Sequence, residues 1–390
     1  MGQFLNFGNG SAGSLNITSN TTASFTWASG SGSSGSKSLT ATASFSAGDI
    51  VLIHQSRGTG AGNWEINQVS SYTTGTVTLT NNMSYTYTDS GASQCQVIKL
   101  PQYSGVNITA NYTVPSWNGS VGGILPILCN GRVYINGGQI IADGLVGSSS
   151  TTSSDGFNAQ GGLGAGFWGG RGLRDGSHVD SEDGEGYSSA RVARESVDTA
   201  TDNGGCGCGF NNSDLNGSGS GGGNGTVGED GNFGDGGKVY NNTALTQMTF
   251  GGGGGGGGNG HNNSADVSGG GGGGGIIMIF AREIICSSGY LLSRGGAGGD
   301  SSHSDYQGRK ASGGGGAGGS ILLKAQTLNI GTDRIRTEGG DGPDSGGTGG
   351  KGRIRLESCY LSGSVSSTYY GSYSTSIGGH NYCGILTGMI

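Results

Sequence analysis

Five carboxylates crowd one short stretch of this chain. Asp175, Asp180, Glu182, Asp183 and Glu185 fall within FWGGRGLRDGSHVDSEDGEGYSSARVARESVD, residues 167–198. Carboxylate oxygens are the donors a Ca²⁺ ion takes, and Asp180, Glu182 and Asp183 are the closest-set candidates for such a site. Their spacing fits neither the EF-hand loop nor the Gly-Gly-x-Gly-x-Asp repeat. A solvated acidic loop is therefore the favoured reading, and no cofactor is expected. Two opposed carboxylates could also cleave a glycosidic bond, so a polysaccharide lyase or hydrolase is the enzyme alternative. The five histidines, His54, His178, His261, His303 and His380, are isolated from one another. Cys206-Gly207-Cys208 is too tight for a zinc-type pair. Gly237-Lys238-Val239 and Gly350-Lys351-Gly352 lack the remainder of a phosphate loop. The expectation is a protein that is not an enzyme.

The elements that would position these residues are all strand-like. Residues 1–120 carry short alternating runs such as Asp49–Gln55, Trp64–Val69, Thr76–Thr80 and Cys95–Leu100, separated by Gly, Ser and Asn turns. β-branched and aromatic residues at period two, with no helical periodicity, predict a small antiparallel roll or sandwich. From residue 121 the text changes. GGILPILCNGRVYINGGQIIADG, GIIMIFAREIICSSGYLLSRGG, GSILLKAQTLNIGTDRIRTEGG and GRIRLESCYLSGSV each read as a strand, a bend, further short apolar runs and, in the first three, a closing glycine. One such unit cannot bury its apolar face alone, so the units are expected to stack as β-helix-like rungs over 121–363. The tail, 364–390, reads as a terminal cap or hairpin. TALTQMTF, residues 243–250, is a brief return to strand-like text. The cysteines Cys129, Cys286 and Cys359 sit in apolar strands, where reduced and structural thiols are expected.

Between the rungs lie glycine-rich inserts, 145–274, 296–318 and 339–351. Glycine accounts for 91 of 390 residues, roughly three times the usual share. Such runs commonly read as linkers, yet both ends of each insert are anchored at a rung, which lowers the entropic cost of ordering it. A chain without side chains can adopt an extended threefold helix of the polyproline-II type. Its N–H and C=O groups then point outward and need partners. Bundled helices of this kind would form a slab, with polar residues confined to its tips. Gly272→Val is expected to disrupt that slab and Asn263→Ala, at a tip, to leave it intact.

The pattern GDIVLIHQSRGTGAGNWEINQVSSYTTGTVTL (48–79), the rung at 123–144 and the two runs beginning GGGGGGGIIMIF and GGSILLKAQ resemble glycine-rich proteins of phage and bacterial surfaces. They are similar in idea to tail-fibre tip adhesins built on a sandwich of polyglycine-II helices. That resemblance implies a structural protein of a virion fibre or surface appendage, on the virion surface or extracellular, contributing to host or surface attachment. It also implies a homo-oligomer, other virion or appendage proteins as partners, and a host surface glycan or protein as receptor. Phe167, Trp168, Tyr187 and Tyr306 would supply contacts from the insert tips. A bacterial extracellular filament subunit is the alternative of the same class. The net charge of −7 offers no basic stripe for nucleic acid, and no apolar run reaches a membrane span. MGQFLNFGNGSAGS has neither a basic nor an apolar leader region, so no Sec-type signal is expected.

Overall fold

A computed structural model describes residues 7–150, 156–175, 181–190, 202–207, 216–232, 234–260, 267–302, 304 and 307–377. The protein is all-β, with a single 3₁₀ turn at Ser367–Tyr369 and no α-helix among the described residues.

Strands Trp27–Ser29, Ser38–Thr40, Ile50–Arg57, Trp64–Thr73, Thr76–Leu79 and Gln94–Lys99 form one antiparallel sheet. Its first and last strands are joined by bonds from Thr40 N to Ser31 O (2.8 Å) and Thr42 N to Ser29 O (3.1 Å), so the sheet closes on itself. Closure leaves no free edge. Val51, Ile53, Val69, Val77, Leu79, Cys95 and Val97 fill the interior. The strand Ile50–Arg57 is buried almost throughout, although alternation would expose one face of an ordinary barrel strand. Its second face, with Leu52, docks on the rest of the molecule.

Two further sheets are parallel throughout, while short pairings within the glycine-rich text, such as Ser149–Ser150 with Val267–Ser268 and Gly156–Ala159 with Gly172–Asp175, are antiparallel. One sheet runs Ser14–Ile17, Gly105–Ile108, Ile124–Ile135, Ile276–Ile285, Ser320–Thr332, Arg353–Ser364, Ser372–Ile377, with Gln102–Tyr103 pairing the third of these. A second follows the same order through Thr21–Thr22, Asn111–Thr113, Gln139–Ile141, Tyr290–Leu292 and Ile335–Arg336. Each of the first five tiers thus supplies one strand to each sheet, while Arg353–Ser364 and Ser372–Ile377 pair in the first sheet alone among the described residues. Register is in phase, so Leu125, Ile277, Ile321 and Ile354 form one column and Ile127, Ile279, Leu323 and Leu356 another. These columns pack between the two sheets with Tyr112, Ile140, Leu291 and Ile335. Each fully buried Ile or Leu contributes about 2 kcal/mol of transfer free energy, which explains why the apolar runs repeat once per tier.

Several expectations change here. Ser14–Ile17 and Gly105–Ile108 belong to the parallel sheet, not to the unit expected over 1–120. That unit is a closed antiparallel sheet rather than a roll or sandwich. Ser372–Ile377 pairs in parallel with Arg353–Ser358, whereas a hairpin would be antiparallel. The stretch 243–250 forms no strand; a turn brings Leu245, Met248 and Phe250 into a core between the two sheet systems. Cys359 is disulfide-bonded, contrary to the expected thiol, while Cys95, Cys129 and Cys286 are free and buried.

The glycine runs lie beside the parallel sheet and are buried. In 269–275 the amide donors cycle through three neighbours. Residues 269, 272 and 275 bond the carbonyls of Ser148, Leu145 and Ala142; 270 and 273 bond Gly170 and Phe167; 271 and 274 bond Gly314 and Ala317. The carbonyls of the same run accept from three other stretches: Gly162 and Gly166, Gly254 and Gly251, Gly299 and Gly296. A donor direction repeating every third residue means three residues per turn. The run 251–257 repeats the scheme, donating to 268–274, 220–223 and 182–185. Backbone polar groups that a lone glycine strand would leave unpaired are therefore satisfied by six neighbours.

Candidate functional site

The aromatic and acidic residues singled out in the sequence converge on the joint between the closed sheet and the glycine runs. Phe167 is fully buried, not at a tip. It packs edge-on to Phe250 (centroids 5.1 Å) and to Trp117 (6.4 Å). Trp168 is half-buried and donates from Nε1 to Trp117 O at 2.9 Å. Tyr187 stacks on Tyr240 at 3.5 Å between centroids, and its carbonyl accepts from Gly58 N at 2.7 Å. These three side chains therefore line a seam, the contrary of the exposed placement expected. Tyr306 lies outside the described residues.

At the centre of the seam sits Glu185, with no exposed surface. Its Oε1 accepts from Arg57 Nη1 and from Trp117 Nε1 (3.1 Å); Oε2 accepts from Trp117 Nε1 (3.0 Å) and Trp168 N (3.0 Å). Burial pushes the carboxyl above its ordinary range, against the pull of Arg57. With both oxygens occupied by donors there is no room for a proton, so the carboxylate form fits this site. Glu182 is likewise committed, bonding Arg171 Nε through Oε2 at 2.8 Å. Asp183 Oδ1 accepts from Gly207 N at 2.7 Å. Glu182 and Asp183 thus turn to different partners, and Asp180 lies outside the described residues. Among the described residues no group of three His, Cys, Asp or Glu side chains comes together.

A second polar chain crosses the same seam. His54 is fully buried. Its Nε2 lies 2.9 Å from Met248 O, so that nitrogen must be the donor, and Nδ1 accepts from Ser56 Oγ at 2.9 Å. Ser56 Oγ in turn accepts from Gln96 Nε2 (2.8 Å), and Gln96 Oε1 accepts from Gly122 N (2.7 Å). Every direction is fixed for a neutral imidazole, and burial pushes its pKa from 6.5 down to about 4. The folded state then binds fewer protons than the unfolded state between those values, so stability falls as pH drops from 6.5 through 4. The full difference is about 3 kcal/mol. Denaturant unfolding at several pH values should show this slope in the wild type and a flatter one in His54→Asn; parallel slopes would contradict the assignment.

What reaches solvent is elsewhere. Leu145, Val146 and Leu163 are 56%, 64% and 46% exposed, and Leu145 N bonds Leu163 O (2.7 Å), so the stretches that carry them are neighbours. Sequence reasoning missed them because one or two apolar residues in glycine and serine text show no periodicity. The usable signal was that a threefold strand in a bundle has room for side chains only in the directions where no neighbouring strand packs. No family model, curated protein or solved structure matches this chain.

Proposed function

We propose that this chain is a non-enzymatic structural protein of a virion fibre or surface appendage that contributes to host or surface attachment. In this reading the two parallel sheets are rungs of a short β-helix, and the glycine runs are inserts packed as polyglycine-II helices. The observation that carries it is the threefold cycle of amide donors in 251–257 and 269–275, each run bonded to six neighbours. Such a body is stiff and densely hydrogen-bonded, with large side chains such as Leu145 and Val146 left to its outside, as a presenting scaffold requires. The exposed Leu145, Val146 and Leu163 would contribute contacts with a glycan or protein receptor or with an assembly partner. Glu182 and Glu185, two of the carboxylates a depolymerase would draw on, are each neutralised by an arginine.

A filament subunit is the second reading. The parallel sheet begins at Ser14–Ile17 and ends at Ser372–Ile377, and two edge strands of one sheet suit head-to-tail addition of copies. Immunolabelled electron microscopy of the native source separates the two. Label at fixed places on a particle of defined size is expected for the fibre. Label along filaments of unlimited length would favour the subunit, and absence from every particle and appendage would overturn both.

A further inference from the structure

The column of the parallel sheet that faces the closed sheet changes chemistry along the stack. In register it reads Ile124, Ile276, Ser320, Arg353, Ser372. The first two are apolar core. Arg353 is only 3% exposed, and among the described residues no carboxylate pairs with it. Its Nη2 donates to the carbonyls of Asn224 (3.2 Å), Tyr240 (2.8 Å) and Asn241 (3.1 Å). Those bonds hold the guanidinium in place without neutralising it. Nε has no partner, and neither does Ser372 Oγ or Asn241 Oδ1. All three residues line one open cleft of about 650 Å³, together with Asn242, Thr243 and Val239. An arginine buried without an anion is costly, and burial holds its pKa below the ordinary value.

We propose that this cleft binds the carboxylate of a sugar acid, with Arg353 as the anchoring cation and Ser372 and Asn241 meeting neighbouring hydroxyls. One cation in an otherwise neutral lining suits a monoanion better than a phosphate monoester. An unpaired hydroxyl and an unpaired amide oxygen ask for a ligand that both accepts and donates, as a hydroxylated ring does. The choice of a sugar acid over other hydroxy acids rests on the attachment reading; the anion site itself does not. Small side-chain rotations must open the three buried atoms to the ligand.

Calorimetric titration of the full chain with sodium glucuronate tests this. Saturable binding is expected, at least about tenfold tighter than glucose, the analogue that lacks the charge-assisted bond, and tighter than acetate, which lacks the hydroxyls. Arg353→Gln should abolish it, but that change also removes the carbonyl clamp. Val239, 46% exposed at the rim, supplies the variants that keep the fold: Val239→Glu should weaken glucuronate and Val239→Lys strengthen it, each by about fivefold. No saturable heat, equal affinity of the two Val239 variants, glucose or acetate binding as well as glucuronate, or phosphate binding more tightly would each overturn the site. Failure of the titration leaves the fibre reading standing, whereas labelling that finds no particle or appendage removes that reading and leaves a measured anion site intact.

Discussion

Gly272→Val should prevent the protein from reaching its native packing, with a loss of about 4 kcal/mol or more that denaturant unfolding or failed soluble expression would register. A Cβ at Gly272 would stand 2.1 Å from Leu163 O, and the obstacle is backbone, which cannot rotate away. The same residue is tied on two further sides, donating to Leu145 O (2.9 Å) and accepting from Gly296 N (2.8 Å). Displacing it would break bonds in three strands at once, each orphaned group in the interior costing about 1–3 kcal/mol. Alanine fails for the same reason as valine, because the clash is with the first side-chain atom. The control is Leu145→Ala on the outer face, expected within about 0.5 kcal/mol of wild type. The tip residue Asn263 lies outside the described residues and cannot serve. Equal tolerance at Gly272 and Leu145 would show that the glycine runs are not close-packed.

That close packing explains what the sequence discloses and what it hides. Strands buried on both faces read as unbroken apolar runs, so IIMIF and SILL announce the fourth and fifth tiers without ambiguity. SLNI and GVNI, the first strands of the two N-terminal tiers, look like any short antiparallel strand. Their partners, Gly105–Ile108 and Val133–Ile135, are fixed by contacts up to ninety residues away, beyond any local window. The aromatics fared similarly. FWGG in glycine text looks like a loop tip, but Phe167 and Trp168 face Trp117 and Phe250, drawn from two other parts of the chain. The seam residues His54 and Gln96 sit in strands whose alternation marks one face as barrel interior. Nothing local says that the opposite face is covered too, and a polar residue there reads as solvated.

The seam also accounts for how a closed sheet with its own core becomes part of one body with the glycine runs. Leu52, Ile98 and Leu100 from the closed sheet share a core with Ile276, Met278 and Phe280 from the parallel sheet and with Phe167 and Phe250 from the glycine-rich text. Apolar contact of this kind is adhesive without being directional. Orientation comes from the polar bonds embedded in it, since each is satisfied in one arrangement only.

Glu185 is the point at which that orientation can be tested. Glu185→Ala should destabilise the protein by about 3–5 kcal/mol, the usual consequence of removing one partner of a buried ion pair. Arg57 would be left with 8% of its side chain exposed and a charge that cannot be shed; its Nε would keep Ala92 O at 2.9 Å. Trp117 Nε1 and Trp168 N would lose their acceptor at the same time. Glu185→Gln keeps one acceptor oxygen and should cost less than Glu185→Ala. The informative variant is the double one, Arg57→Met with Glu185→Leu. Replacing a buried pair by apolar residues of similar volume is often near neutral, so stability should return to within about 2 kcal/mol of wild type. The two tryptophan donors would still lack a partner, and the fixed angle between closed sheet and glycine runs should loosen. Small-angle scattering and hydrogen exchange at the Trp117 indole N–H and the Trp168 amide would then separate strength from orientation. A double variant with wild-type stability and unchanged exchange at both tryptophans would mean that the apolar core alone sets the joint.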